Sequence, residues 1–175
     1  MNQEMKSSYW RFAAMIVTSM VVMYAFMYLN TYQIAHVRWS ETRIFMTFIM
    51  GAAMAVIMLS FMQGMYSNKK VNLAIYIGSI VVFVLALFLV RSQVTVDDSA
   101  YMSAMIPHHS IAILTSENAQ IQDLRVRELA DGISETQRRE IKEMDWLLND
   151  IRQNGIASTQ AQADARPVPE FTAEP

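Results

Sequence analysis

Three long apolar runs dominate the first half of the chain. Phe12 to Leu29, Ile44 to Met62 and Asn72 to Val90 contain no Asp, Glu, Lys, Arg or His. Each is close to the ~20 residues with which a helix crosses a ~30 Å hydrocarbon layer. The pattern predicts three membrane spans, at residues 12–29, 44–62 and 72–90, within a membrane domain of residues 1–91. A signal peptide competes for the first run, which follows Lys6 and Arg11. That run exceeds the ~7–15 residues of an h-region and no small-residue cleavage site closes it, so an uncleaved anchor is expected.

After Val90 the periodicity changes. Asp98, Met102, Met105, His109 and Ala112 follow one another at steps of four, three, four and three, which is one face of a helix. Thr95 with Asp98 resembles a capping box at its start, and the helix is expected to run to Asn118. Pro107 inside it removes the hydrogen bond to the Ser103 carbonyl and is expected to kink the helix before His108 and His109. A second helix is predicted from an Asp123 cap to Arg152, with Val126, Ala130, Ile133, Gln137, Glu140, Met144, Leu147 and Ile151 as its stripe. The short turn from Ala119 to Gln122 makes the two helices antiparallel.

The chain is therefore expected to be all-α: three transmembrane helices followed by an antiparallel helical hairpin over residues 97–152. A lone hairpin is below the size at which a core is usually self-sufficient, so a homodimer completing a four-helix bundle is expected. The tail, residues 153–175, carries Gly155, Pro167 and Pro169 with little apolar character and is expected to be disordered.

Composition changes the picture in two places. A net charge of -2 leaves no basic patch for nucleic acid. The absence of cysteine excludes disulfides, thiolate metal sites and a cysteine nucleophile. Soft-metal chemistry must then rest on the 15 methionines and three histidines, which suits an oxidising compartment. Lys6, Arg11, Lys69 and Lys70 on one side, against Arg38, Arg43 and Arg91 on the other, favour a cytoplasmic N-terminus and a hairpin outside the cytoplasm.

In the second span Met46, Met50, Met54, Met58 and Met62 recur at every fourth residue. The row is a thioether ladder for a soft cation or, as favoured here, a packing ridge beside Gly51, Ala52, Ala53 and Ala55. The hairpin carries the stronger signal. His109 shares a face with Met102 and Met105, His108 lies beside it, and Met144, Glu140 and Gln137 from the second helix supply the other side; Asp98 lies on the same stripe. Thioether with imidazole selects Cu(I) or Ag(I), and the carboxylates admit Cu(II) or Zn(II) more weakly.

YMSAMIPHHSIAILTSENA, followed by ELADGISETQRREIKEMDWL, resembles the bacterial domain-of-unknown-function 305 family, whose motif reads approximately Met-x-x-Met-Ile-x-His-His and then Gln-x-x-Glu-Ile-x-x-Met. The upstream HVRWSETRIFMTFIMGAAMAVIML is similar to a membrane-anchored branch of that family. The resemblance implies a ferritin-like bundle and, for some members, periplasmic copper binding and copper tolerance. It places the motif on Met102, Met105, His108, His109, Gln137, Glu140 and Met144.

The expectation is a protein of the bacterial inner membrane, in contact with lipid, that binds copper in the periplasm for sequestration or handover to a copper-handling partner protein. A membrane scaffold without metal is the alternative. A metal-dependent enzyme is disfavoured, because neither hairpin helix has the Glu-x-x-His pairs of diiron bundles.

Overall fold

The computed structural model describes residues 3–173, with side chains from Ser8 onward; these residues form six α-helices and no strand. The side chain of Lys6, counted above for orientation, and the last two residues of the tail lie outside the described residues. The helices are α1 (Gln3–Phe26), α2 (Glu41–Phe61), α3 (Lys69–Ser92), α4 (Asp98–Asn118), α5 (Leu124–Asn154) and α6 (Gln160–Asp164). The chain divides into two compact units, Met1–Met27 with Glu41–Thr95, and Tyr28–Ser40 with Val96–Pro175.

The first unit contains three helices long and apolar enough to cross a membrane, Ser8–Phe26, Glu41–Phe61 and Lys69–Ser92. The first ends before Leu29, the second starts before Ile44 and ends one residue short of Met62, and the third extends slightly beyond its apolar run at both ends. Phe12, Ala55, Leu59 and Tyr66 form the centre of this unit, with Met58 and Met62 packed against them. The lower end of the methionine row therefore serves packing. A Cβ added to Gly51 would overlap the thioether of Met20, so α1 lies close against α2 at this glycine. Asn68 caps α3 by accepting from Lys70 N and Val71 N. The Tyr9 hydroxyl donates to Asn72 Oδ1 at 2.7 Å, and Asn72 Nδ2 donates to the Tyr66 carbonyl at 2.8 Å.

The second unit is the α4–α5 hairpin with the 28–40 segment laid on it. The cap of α4 is Asp97, which accepts from Ala100 N at 2.7 Å, and not Thr95 with Asp98; the acid directly before the first turn is the one that reaches the free amide. Asp123 caps α5 as expected, accepting from Arg125 N at 2.9 Å. Pro107 is buried and α4 continues through it as one helix. The core is Met102, Ile106, Ile113, Ile141 and Met144, joined by Tyr32, Met105, Leu147, Leu148 and Ile151.

Tyr32 packs into the hairpin core, where Arg138 donates to its hydroxyl at 3.1 Å and stacks 4.9 Å from its ring centroid. The stripe of α5 is rotated: Ala130, Ser134, Ile141 and Met144 are buried, whereas Val126 is 48% and Ile133 38% exposed. The 28–40 segment draws the Arg138 and Asp145 side of α5 inward, a contribution invisible to a pattern read on α5 alone. In the tail, Thr159 and Gln162 form a capping box on the one-turn helix α6. Arg166 then pairs with Asp150 at 2.6 Å, and Lys142 Nζ donates to the Thr172 carbonyl at 3.1 Å, so charged groups on α5 supply what the tail lacks in apolar area.

Candidate functional site

His109 lies on α4 opposite Glu140 of α5, with Nδ1 and Oε2 3.1 Å apart. The imidazole is 13% exposed and the carboxylate 38%. The ring N–H direction does not line up with the carboxylate oxygen, so Nδ1 is a buried polar atom without a hydrogen-bond partner despite its short distance. Burial lowers the pKa of His109, the Glu140 carboxylate opposes that shift, and His108 reinforces it. The net direction is downward, which favours the neutral ring, the form that ligates metals. Gln137 Nε2 approaches the same Glu140 oxygen at 3.5 Å.

The thioethers occupy the next turn. Met105 precedes His109 by four residues and Met144 follows Glu140 by four, so in an antiparallel pair they share the row of the His109–Glu140 contact. Met102 and Met144 are buried, at 6% and 8% exposure, and Met105 packs against them. The hairpin thus assembles two sets side by side: His109, Glu140 and Gln137, and the thioethers Met102, Met105 and Met144.

The remaining candidates stand apart. His108 is exposed, its ring centroid 6.1 Å from that of His109 with the planes inclined by 57°. Continuation of α4 through Pro107 keeps the two rings about 100° apart around the axis. Asp98 is exposed in the first turn of α4. Among the described residues no group of three His, Asp or Glu side chains converges as a metal site. A metal would therefore depend on the thioethers.

Sequence reasoning missed the third histidine. Ser110, fully buried, accepts from the Tyr32 N–H at 2.7 Å and lies 2.9 Å from His36 Nδ1. The serine hydroxyl and the ring nitrogen share one hydrogen bond, either of them donating according to the tautomer. Arg38 pairs with Asp145 at 3.1 Å. The residues gripped by the 28–40 segment, Ser110, Arg138 and Asp145, each directly follow a candidate donor, His109, Gln137 and Met144. One residue is 100° of helix, so the polar contacts of the segment fall beside the donors, while Tyr32 packs against the cluster that holds Met102 and Met144. A serine directly after His109 was the available signal. Its partner lies 74 residues away.

Residues 98–172 match the family described as Domain of unknown function (DUF305). The chain is also 32% identical over 139 residues to uncharacterized protein L153 of Acanthamoeba polyphaga mimivirus, covering 78% of this chain and 90% of that protein. That alignment is longer than everything from residue 98 onward, so the likeness takes in part of the first unit as well. No solved structure matches the chain. The hairpin with its paired motif, and a relative similar across most of both chains, give one conclusion: the chain belongs to the DUF305 family.

Proposed function

We propose that this protein is a membrane-anchored copper-binding protein, holding Cu(I) at His109, Met102, Met105 and Met144 for sequestration or for handover to a partner protein. The observation that carries this reading is the buried Nδ1 of His109, which makes no hydrogen bond although it lies 3.1 Å from Glu140, one helical turn from Met105 of the cluster that also holds Met102 and Met144. Imidazole and thioethers are a donor set for a soft monovalent ion. Glu140 orients the ring, and His108, exposed beside it, is placed to meet an incoming ion. The inner-membrane and periplasmic placement rests on the family resemblance and on the basic residues. The 28–40 segment, which joins the first two apolar helices, bonds to the hairpin, and this agrees with three crossings that leave both on one side.

A second reading, a membrane scaffold without metal, is favoured by a different observation. Met102 and Met144 belong to the hydrophobic core, and no three-residue His/Asp/Glu group is present among the described residues. Anaerobic Cu(I) competition on the full chain in detergent separates the two. The copper reading expects binding that His109→Ala weakens by about ten-fold or more, as expected for a lost ligand. Absence of copper uptake, or identical uptake by the variant, leaves the scaffold.

A further inference from the structure

The 28–40 segment has two sides of opposite character. One is turned to the hairpin: Tyr32 packs into its core, His36 Nδ1 lies 2.9 Å from Ser110 of α4, and Arg38 pairs with Asp145 of α5. The other presents large apolar side chains, with Leu29 76%, Ile34 91%, Val37 44% and Trp39 67% exposed. No Asp, Glu or Lys occurs from Tyr28 to Ser40, and the histidine and the arginine are the residues engaged with α4 and α5. The outward side is therefore apolar and uncharged, the character of a surface that meets something other than water. The backbone is satisfied as well. Thr31 N donates to the Tyr28 carbonyl at 3.2 Å, His36 N to Gln33 at 3.1 Å, Val37 N to Ile34 at 3.0 Å and Tyr32 N to the Ser110 hydroxyl at 2.7 Å. Amides bonded within the protein are what a segment needs to enter a lipid layer, where an open N–H finds no water.

We propose that the outward side of this segment lies in the headgroup and upper acyl layer of the membrane, so that the second unit rests on lipid through Leu29, Ile34, Val37 and Trp39. Chain connectivity selects lipid as the occupant. Leu29 follows Phe26, the last residue of α1, by three residues, and Trp39 precedes Glu41, the first of α2, by two. Extended chain covers at most ~3.6 Å per residue, so Leu29 stays within about 11 Å and Trp39 within about 7 Å of the ends of two membrane-length helices. The interfacial layer outside the hydrocarbon is itself ~5–8 Å deep. Lipid therefore already surrounds both ends of the patch. Tryptophan is enriched at that depth, and aliphatic side chains of interfacial segments enter just below it. Ile34 and Val37 continue the same uncharged surface between the two ends.

The contact reaches further than a loop. Ser110 bonds the segment to α4, and Arg138 and Asp145 bond it to α5, so what the lipid holds is both helices of the hairpin. The segment acts as an adaptor, with hydrogen bonds and an ion pair on its protein side and apolar side chains on its lipid side. The hairpin is then kept at the membrane surface by two attachments, the chain at residues 93–97 after α3 and this adaptor. The inference rests on the membrane half of the proposed function and not on copper binding.

The chain has no cysteine, so a single introduced one is labelled uniquely. Full-length protein carrying Ile34→Cys, Val21→Cys or Glu135→Cys is spin-labelled and reconstituted in phosphatidylcholine vesicles. The exposure of each label to oxygen, which concentrates in lipid, is then compared with its exposure to a water-soluble nickel chelate. Val21 is exposed on the first apolar helix and Glu135 is exposed on α5. Ile34 decides the matter, because it lies eight residues from Phe26 and seven from Glu41 and the spans alone do not carry it into lipid. The expected result is preference for oxygen at Val21 and Ile34 and for the chelate at Glu135. An Ile34 label as open to the chelate as Glu135, with Val21 in lipid, overturns the inference while the spans stand. An Ile34 label closed to both reagents places protein on this side, a second copy included, and overturns it too. A Val21 label open to the chelate removes the membrane reading and this inference with it.

Discussion

His109 Nδ1 and Glu140 Oε2 are 3.1 Å apart across the α4–α5 hairpin, close enough for an ion pair yet misaligned for a hydrogen bond. Burial meanwhile holds the imidazole towards its neutral form. A ring kept neutral and incompletely bonded is available to a soft cation, and Glu140 limits how it turns.

The two adjacent histidines are not equivalent. His109→Ala is expected to weaken Cu(I) binding by about ten-fold or more, and His108→Ala by clearly less, because His108 is exposed and apart from the thioethers. Competition titrations of both variants check this, and an equal or reversed order removes the assignment.

Copper affinity is expected to be nearly level from pH 8 to about 6.5 and to fall below that, since protons compete only once His109 begins to titrate. Its lowered pKa moves the fall to more acidic pH than an exposed histidine would give. Thioethers do not titrate, so His109→Ala should bind weakly at every pH. Equal wild-type affinity at pH 7.5 and 5 excludes imidazole from the site.

Ser110→Ala is expected to destabilise the hairpin unit by about 1–3 kcal/mol, the cost of leaving a desolvated donor unpaired. The Tyr32 N–H loses its acceptor and His36 Nδ1 its neighbour. Thermal unfolding of the full chain followed by circular dichroism measures the loss, and an unchanged midpoint rejects the role assigned to Ser110.

Stability should also depend on the protonation of His36. Burial lowers its pKa; Asp145 opposes this, while Arg38 and Arg138 add to it. A histidine held neutral in the fold but free to protonate when unfolded favours unfolding as pH falls. This contribution is complete above the unfolded value near 6.5 and declines from there down to the lowered folded value. The difference in melting temperature between pH 7.5 and 5.5 is expected to shrink in His36→Gln, and an unchanged difference excludes His36 as its source.

In the first unit, Gly51→Leu is expected to destabilise packing by about 1–3 kcal/mol through overpacking against Met20. Gly51→Ala should cost less, because the overlapped group is the end of a flexible thioether side chain. Detergent melting curves that rank Ala below Leu would count against this contact.

The sequence by itself determined the features carried by local pattern. Uncharged apolar runs locate the three membrane-length helices, because length and hydropathy are sums over neighbouring residues. Periodicity locates α4, α5 and the short turn between them, and an aspartate cap marks the start of α5. Spacing placed His109 and Met105 one turn apart on α4, and Glu140 and Met144 one turn apart on α5. The tertiary structure decided which side of each helix is buried. Tyr32, His36 and Arg38 reach Ser110, Arg138 and Asp145 across more than 70 residues of chain, so that side turns inward and Val126 and Ile133 turn outward. Such contacts depend on charge and hydrogen-bond geometry between distant segments, which leave no period in the sequence. They separate His109, half-buried at the hairpin seam, from its exposed neighbour His108.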